Sequence, residues 1–202
     1  MKFKAAFVFS FLVFLQATAA FPETFDASRD YTCDRVSAGV WYYEGYRASD
    51  GQYLSMVFEH APIRELSKYG ADTHFLPDGD QPYYPFITRF SDNIVMSPAT
   101  TGRRFDAVLT WAAPYDCEAD ISGVARLMGN IRGEAEGKKV ALMIKHNEEK
   151  VWSGELGGPE TKEFGLARKL SAGDRLRLHV VNAGDGSGNL TSLNVRVETK
   201  KK

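Results

Sequence analysis

Aromatic and polar side chains crowd together in two places along this 202-residue chain. Trp41, Tyr42, Tyr43 and Tyr46 form the first group; Tyr83 and Tyr84 follow Asp80, with Arg103 and Arg104 beyond them. Flat rings of this kind stack on the C–H faces of sugars, while acids, amides and guanidinium groups meet the hydroxyls. On that chemistry Trp41, Tyr43, Tyr46, Tyr83, Tyr84, Arg103 and Arg104 are the candidate ligand-binding residues. The same rings serve equally well as core residues with a polar tip. In a strand Trp41 and Tyr43 point one way and Tyr42 the other, so only part of the first group can face solvent together. Trp111 shares the parity of Leu109 and Ala107 and reads as core. Trp152 lies beside a hairpin turn and fits either role, whereas Tyr83 and Tyr84, in a loop, favour exposure.

Other chemistries have thinner support. The run from Asn182 to Asn189 offers loop oxygens with Asp185 as its one charge, and Asp78-Gly79-Asp80 is a second such place. Calcium takes six to eight oxygens, so both stretches read first as Gly and Asp turns. A structural calcium is not favoured, and no cofactor is expected. The four histidines, His60, His74, His146 and His179, lack the local spacing of zinc ligands. There is no Gly-x-Ser-x-Gly elbow, no His-Glu-x-x-His and no phosphate-cradling glycine loop. Pairs such as Glu134 with Glu136, or Glu148 with Glu149, do not place two acids across a cleft. A lyase needs a His or Tyr base beside a charge-neutralising group, for which His60, His74, Tyr83 and Arg103 are the candidates. No catalytic residue is assigned, and the reading leans away from an enzyme.

The elements that must position these groups read as short strands. Leu54, Met56 and Phe58 alternate, as do Phe105, Ala107, Leu109 and Trp111. Ala119 and Ile121 precede Val124, with Gly123 marking a bulge. Val140, Leu142 and Ile144 lead to a turn at Asn147-Glu148-Glu149 and a return strand from Val151. Phe164, Leu166 and Leu170 share a parity; Leu176, Leu178 and Val180, then Leu193, Val195 and Val197, alternate with polar partners. Period-two runs broken by Gly and Asp turns argue for an all-β sandwich. Residues 61–104 stand apart: they hold five of the eight prolines and read mostly as loop, with a short helix over Ala61 to Gly70, Pro62 near its first turn and Gly70 as its stop.

The chain opens with Lys2 and Lys4, an apolar run from Ala5 to Leu15, and Ala17-Thr18-Ala19-Ala20. This is the pattern of a cleavable secretory signal, too short to span a bilayer, which takes about 20 apolar residues. The expected organisation is a signal peptide over residues 1–20, an N-terminal segment over 21–37, a sandwich domain over 38–198 and a basic tail over 199–202. Export permits a bridge between the two cysteines, Cys33 and Cys117, closing a long loop; two buried thiols are the alternative. Asn189-Leu190-Thr191 is a glycosylation sequon. With 26 acids against 25 bases, bulk charge gives no support for nucleic-acid binding.

Several pieces then fall in order: Val40-Trp41-Tyr42-Tyr43-Glu44-Gly45-Tyr46; Trp111-Ala112-Ala113-Pro114; Ala119-Asp120-Ile121-Ser122-Gly123; Val140 to Ile144 with Val151-Trp152; Ala172-Gly173-Asp174-Arg175-Leu176; and a glycine-rich loop before the last strand. Over residues 38–198 this order resembles the carbohydrate-binding-like jelly-roll modules of secreted bacterial proteins. The chain departs from their pattern at Gly133-Glu134-Ala135-Glu136-Gly137-Lys138-Lys139, where an acidic glycine-rich loop is usual, and at Asn189-Leu190-Thr191-Ser192, where a late Asp is usual. The resemblance implies a jelly-roll β-sandwich of about eight or more antiparallel strands, secreted or periplasmic, binding an extracellular glycan without chemistry. The alternatives are a module whose partner is a protein, and a small polysaccharide-active lyase or hydrolase.

Overall fold

The computed structural model describes residues 22–32, 36–37, 39–60, 72–76, 85–99, 105–129, 138–183 and 189–201. Among them run fifteen strands. In chain order they are β1 (Glu23–Asp26), β2 (Val36–Ser37), β3 (Trp41–Arg47), β4 (Gln52–Ser55), β5 (Val57–His60), β6 (Asp72–Phe75), β7 (Phe86–Phe90) and β8 (Asn93–Ser97). There follow β9 (Phe105–Ala112), β10 (Cys117–Gly129), β11 (Lys139–His146), β12 (Glu149–Gly157), β13 (Thr161–Leu170), β14 (Arg175–Asn182) and β15 (Leu190–Lys201).

The strands make two sheets. One has the order β13-β10-β15-β8-β7-β6-β5, with β1 also paired to β15; the other has the order β12-β11-β14-β9-β3-β2, with β4 also paired to β3. The four strands β8, β15, β10 and β13 lie in one sheet and β9, β14, β11 and β12 in the other, all pairs antiparallel. From β8 to β15 the chain crosses between sheets at every step except the β11–β12 hairpin, which is the jelly-roll winding. The expected fold is therefore present, enlarged at one edge.

The core lies between the sheets and follows strand parity. Trp41 and Tyr43 of β3, Leu109 and Trp111 of β9, Ile121 of β10, Ile144 of β11 and Val195 of β15 are all buried there. Phe25 of β1 packs its ring 5.4 Å from that of Trp111. Burial of such rings and branched chains, each worth about 1.5–3 kcal/mol, is what holds the two layers together.

Three expectations need correction. Residues 61–104 are not one long loop: β6, β7 and β8 fall within them and extend the eight-stranded sheet. Phe86-Ile87-Thr88-Arg89-Phe90 and Asn93-Ile94-Val95-Met96-Ser97 form a hairpin across Ser91-Asp92, with Ser91 at φ 54°. The prolines masked two β-branched runs only five residues long. The short helix placed at 61–70 lies outside the described residues, and no helix occurs among those described. Leu54, Met56 and Phe58 do not share one strand: the chain changes sheets at Met56, with β4 pairing β3 and β5 pairing β6. Met56 is buried at that corner, and its backbone N–H donates to the Tyr43 carbonyl at 2.9 Å.

Gly123 is not a bulge. Pairing runs unbroken through it to Phe164 on one side and Val195 on the other, and the register shift lies at Leu127/Gly129. A Cβ at Gly123 would stand 2.3 Å from the Phe164 ring and 2.6 Å from the Asn194 carbonyl oxygen, so this glycine makes room. Strand pairing also includes residues outside 38–198. β1 pairs β15 from Glu23 to Asp26, and the basic end is strand, with Lys200 and Lys201 paired to Glu118 and Cys117.

Candidate ligand-binding face

The two sheets differ on their outward sides. On the eight-stranded sheet Glu118, Asp120, Ser122 and Val124 of β10 stand exposed beside Asn194, Arg196 and Glu198 of β15. That is an ordinary solvated face. The seven-stranded sheet is different. Its outward residues lie in cross-strand rows: Tyr42, Thr110, Arg177 and Lys145 form one, Glu44, Val108, His179 and Met143 the next, and Tyr46 faces Asp106. Tyr53 of β4 pairs with Tyr46. Although this side faces away from the core, Glu44, Asp106, Val108, Thr110, Arg177 and His179 are buried, covered by the long side chains around them.

Side-chain reach explains the closeness. Between β4 and β14 lie β3 and β9, so flat strands would stand about 14 Å apart over three interstrand steps. Tyr53 Oη nonetheless lies 3.2 Å from His179 Nε2, the two long side chains leaning toward each other over β3 and β9. His179 Nδ1 lies 3.0 Å from Asp106 Oδ2. Burial holds the imidazole below its ordinary pKa, against the opposing pull of Asp106. A neutral ring that donates from Nδ1 to the carboxylate keeps a lone pair on Nε2, which accepts the Tyr53 O–H. Lys145 Nζ donates to Tyr53 Oη at 3.3 Å. Burial raises the Tyr53 phenol above its usual value, partly opposed by Arg177, so the phenol keeps its proton.

Glu44 anchors the neighbouring row. Thr110 Oγ1 donates to its Oε2, Arg175 Nη1 lies 3.3 Å from Oε1, and Arg177 Nε 3.7 Å from Oε2. Arg177 Nη1 also donates to the Asn147 carbonyl at 2.9 Å and to Glu148 Oε1 at 3.0 Å. Each tyrosine of this face carries a cation: Arg175 lies 4.9 Å from the Tyr42 ring centre, Lys145 4.5 Å from Tyr46 and Arg177 3.9 Å from Tyr53. Tyr42, Tyr46, Tyr53 and Lys145 remain half-buried, with surface to offer.

Of the residues read from sequence, Tyr46 is on this face. Trp41 and Tyr43, at 1% and 2% exposure, are core and offer no stacking surface; the opposite parity, carrying Tyr42 and Tyr46, is the one that reaches the outside. Tyr83, Tyr84, Arg103 and Arg104 lie outside the described residues, as do Cys33, Asp78, Asp80, Glu134, Glu136 and Asp185. Trp111 is core as expected, and Trp152 is half-buried with its ring 5.4 Å from Phe164. His74 is a core residue: it is buried, stacks 4.0 Å from the Tyr43 ring and bonds through Nε2 to the Thr32 carbonyl at 2.9 Å. His146 bonds to Asp174 Oδ2 at 3.0 Å and ties the β11–β12 turn to the turn before β14. Among the described residues no three His, Cys, Asp or Glu groups are placed to hold a metal. The sequence reading missed Tyr53, Asp106, Lys145, Arg175, Arg177 and His179. The signal was present in the polar parity of β14, where Arg175, Arg177 and His179 alternate with buried leucines.

The sequon has a clear outcome. Asn189 is fully buried, and its Nδ2 donates to the Lys139 carbonyl at 3.0 Å and to Asn182 Oδ1 at 3.2 Å. That nitrogen is the one a glycan would use.

No family model matches this sequence, and no curated protein matches it. Solved structures similar to the chain include carbohydrate-binding modules. A CBM51 from Clostridium perfringens GH95, in complex with methyl-galactose, has a TM-score of 0.40 at 12% identity, covering 87% of this chain and 99% of that one. A CBM4 gives 0.36 at 12% identity, covering 79% and 86%. A family 29 carbohydrate-binding module gives 0.36 at 11% identity, covering 80% and 90%. Scores of this size carry no argument about ligand or chemistry, which must come from the face itself.

Proposed function

We propose that the protein is an exported, non-catalytic binding module for carbohydrate, and that the outward side of the seven-stranded sheet is its binding face. One observation carries the reading: half-buried tyrosines and charged groups are drawn together on that sheet, while the opposite outer face is plainly solvated. Tyrosine supplies large contact area at low entropic cost, with a polar tip for a hydroxyl. The surrounding network fixes these rings before any ligand arrives, which lowers the cost of binding. The amino-terminal signal pattern supports export, and among the described residues no helix is long and apolar enough to cross a membrane. Tyr83, Tyr84, Arg103 and Arg104 stay in the proposal as a second group of contacts.

The test is retention of the purified protein on a panel of soluble and insoluble polysaccharides. Tyr46→Ala is expected to weaken binding at least tenfold with the melting temperature little changed, and Tyr84→Ala reports on the second group. A folded protein that binds no polysaccharide overturns the reading and moves weight to a protein partner.

A specific arrangement favours a second reading, that of a polysaccharide-active enzyme. Asp106, His179 and Tyr53 form a hydrogen-bonded series with a cation at its outer end, the connectivity of a carboxylate-oriented base and its hydroxyl partner. Release of reducing ends or unsaturated sugars from any polysaccharide in the panel, abolished in His179→Gln, would establish it; no turnover with binding intact removes it.

A further inference from the structure

The cations on this face are not equivalent. Arg175 is committed to Glu44, and Arg177 to Glu44 and Glu148. Lys145 has no carboxylate within 4.0 Å among the described residues; its polar partner is the Tyr53 hydroxyl. That hydroxyl is itself oriented. Its proton points to His179 Nε2, so the phenol oxygen turns a lone pair to Lys145 and takes up one of the three ammonium hydrogens. Two hydrogens are left for something else. A half-buried ammonium seated 4.5 Å from one ring centre and 5.7 Å from another has lost part of its water shell, which strengthens any charge-assisted bond it then makes.

The rings point the same way. Bare stacking of a neutral sugar wants an uncovered aromatic face, and on Tyr42, Tyr46 and Tyr53 a cation already occupies one face each. A ligand that brings its own negative charge turns this covering into an asset, because ring contact and ion pairing are then satisfied together.

Resting on the proposed carbohydrate-binding reading, we infer that this face recognises sugars bearing a negative charge, with Lys145 as the group that meets the anion. The anion is a carboxylate, as in uronic acids, or a sulfate ester; the chemistry they share is an oxyanion on a ring that also offers a C–H face. Arg175, its side chain 36% exposed, lies along the same face and extends the site.

The experiment measures affinity of the full protein for polygalacturonate, alginate, dextran sulfate and a neutral xylan, at low and at high salt. Wild type is expected to bind the uronate polymers or the sulfated polymer at least tenfold more tightly than xylan, with the difference shrinking in high salt. Lys145→Met, which keeps the stem and removes the charge, is expected to lose that preference, and Lys145→Gln provides a second variant should the first fold poorly. Lys169→Met, on the far sheet and 76% exposed, controls for net charge and is expected to change nothing. Comparison of polygalacturonate with dextran sulfate separates carboxylate from sulfate recognition. Equal binding of xylan and acidic polymers, unaltered in both Lys145 variants but lost in Tyr46→Ala, overturns the charge preference while leaving the face in place. Acidic-polymer binding that falls equally in Lys169→Met is bulk attraction and also overturns it. No binding of any polymer by the folded protein removes both readings.

Discussion

Two histidines on opposite sides of the seven-stranded sheet are kept neutral for the same physical reason. His74, within the core, and His179, beneath Tyr53, are both depressed below the ordinary imidazole range by burial. In the unfolded chain each takes up a proton near pH 6.5; in the fold each resists it. Unfolding then binds protons, so stability rises with pH through this window. Their contribution is complete above the unfolded imidazole value and is lost as pH falls below it toward the folded one. The expected outcome is a melting temperature clearly lower at pH 5 than at pH 7.5, with a smaller difference in His74→Gln and in His179→Gln. A flat profile between those pH values in wild type would contradict the burial argument. Residue identity alone does not reveal these roles. His74 is isolated in the sequence, and only the fold shows that Tyr31, Tyr43 and Phe58 ring it.

At the scale of the element, two glycines do what no pattern announces. In β3, Gly45 faces the core, and a Cβ there would stand 2.2 Å from Leu76 Cδ1. In β10, Gly123 makes room for Phe164, against both a ring and a backbone carbonyl. Forcing a methyl into such a place costs about 1–3 kcal/mol. Gly123→Ala is therefore expected to lower the melting temperature by several degrees, and more than Gly45→Ala, because a leucine side chain gives way more easily than a carbonyl oxygen. Thermal unfolding of the two variants checks the order. The start of β15 yields another outcome: with Asn189 Nδ2 donating inside the fold, folded protein from a glycosylating host is expected to carry no sugar at this residue, which intact mass reads directly. Strands β11, β14 and β15 were legible because their apolar residues alternate, at Val140, Leu142 and Ile144, at Leu176, Leu178 and Val180, and at Leu193, Val195 and Val197. The strands β6 to β8 were not, being four or five residues long and set among prolines. The proposed binding face was half legible: the alternation of Trp41-Tyr42-Tyr43 divides the rings between two sides, but the partners come from β9, β11 and β14, and only the pairing register brings them together.

Taken as a whole molecule, the chain closes on itself from its first described strand. β1 pairs β15, Phe25 packs on Trp111, and the Tyr31 hydroxyl donates to the Asp72 carbonyl at 3.0 Å, so the N-terminal segment is sewn to both sheets. Cys117, fully buried, begins β10 beside the end of β15. The proposed bridge from Cys33 to Cys117 would add a covalent tie to a segment whose contacts already hold it. Its effect would then fall chiefly on the unfolded chain, by shortening the loop it can explore, worth about 2–4 kcal/mol. Protein recovered from an oxidising compartment is expected to show no thiol reactive after denaturation, and reduction is expected to lower its melting temperature by several degrees without altering the folded spectrum. Two reactive thiols in that material would mean that packing alone holds the segment, and export would then rest on the amino-terminal signal pattern.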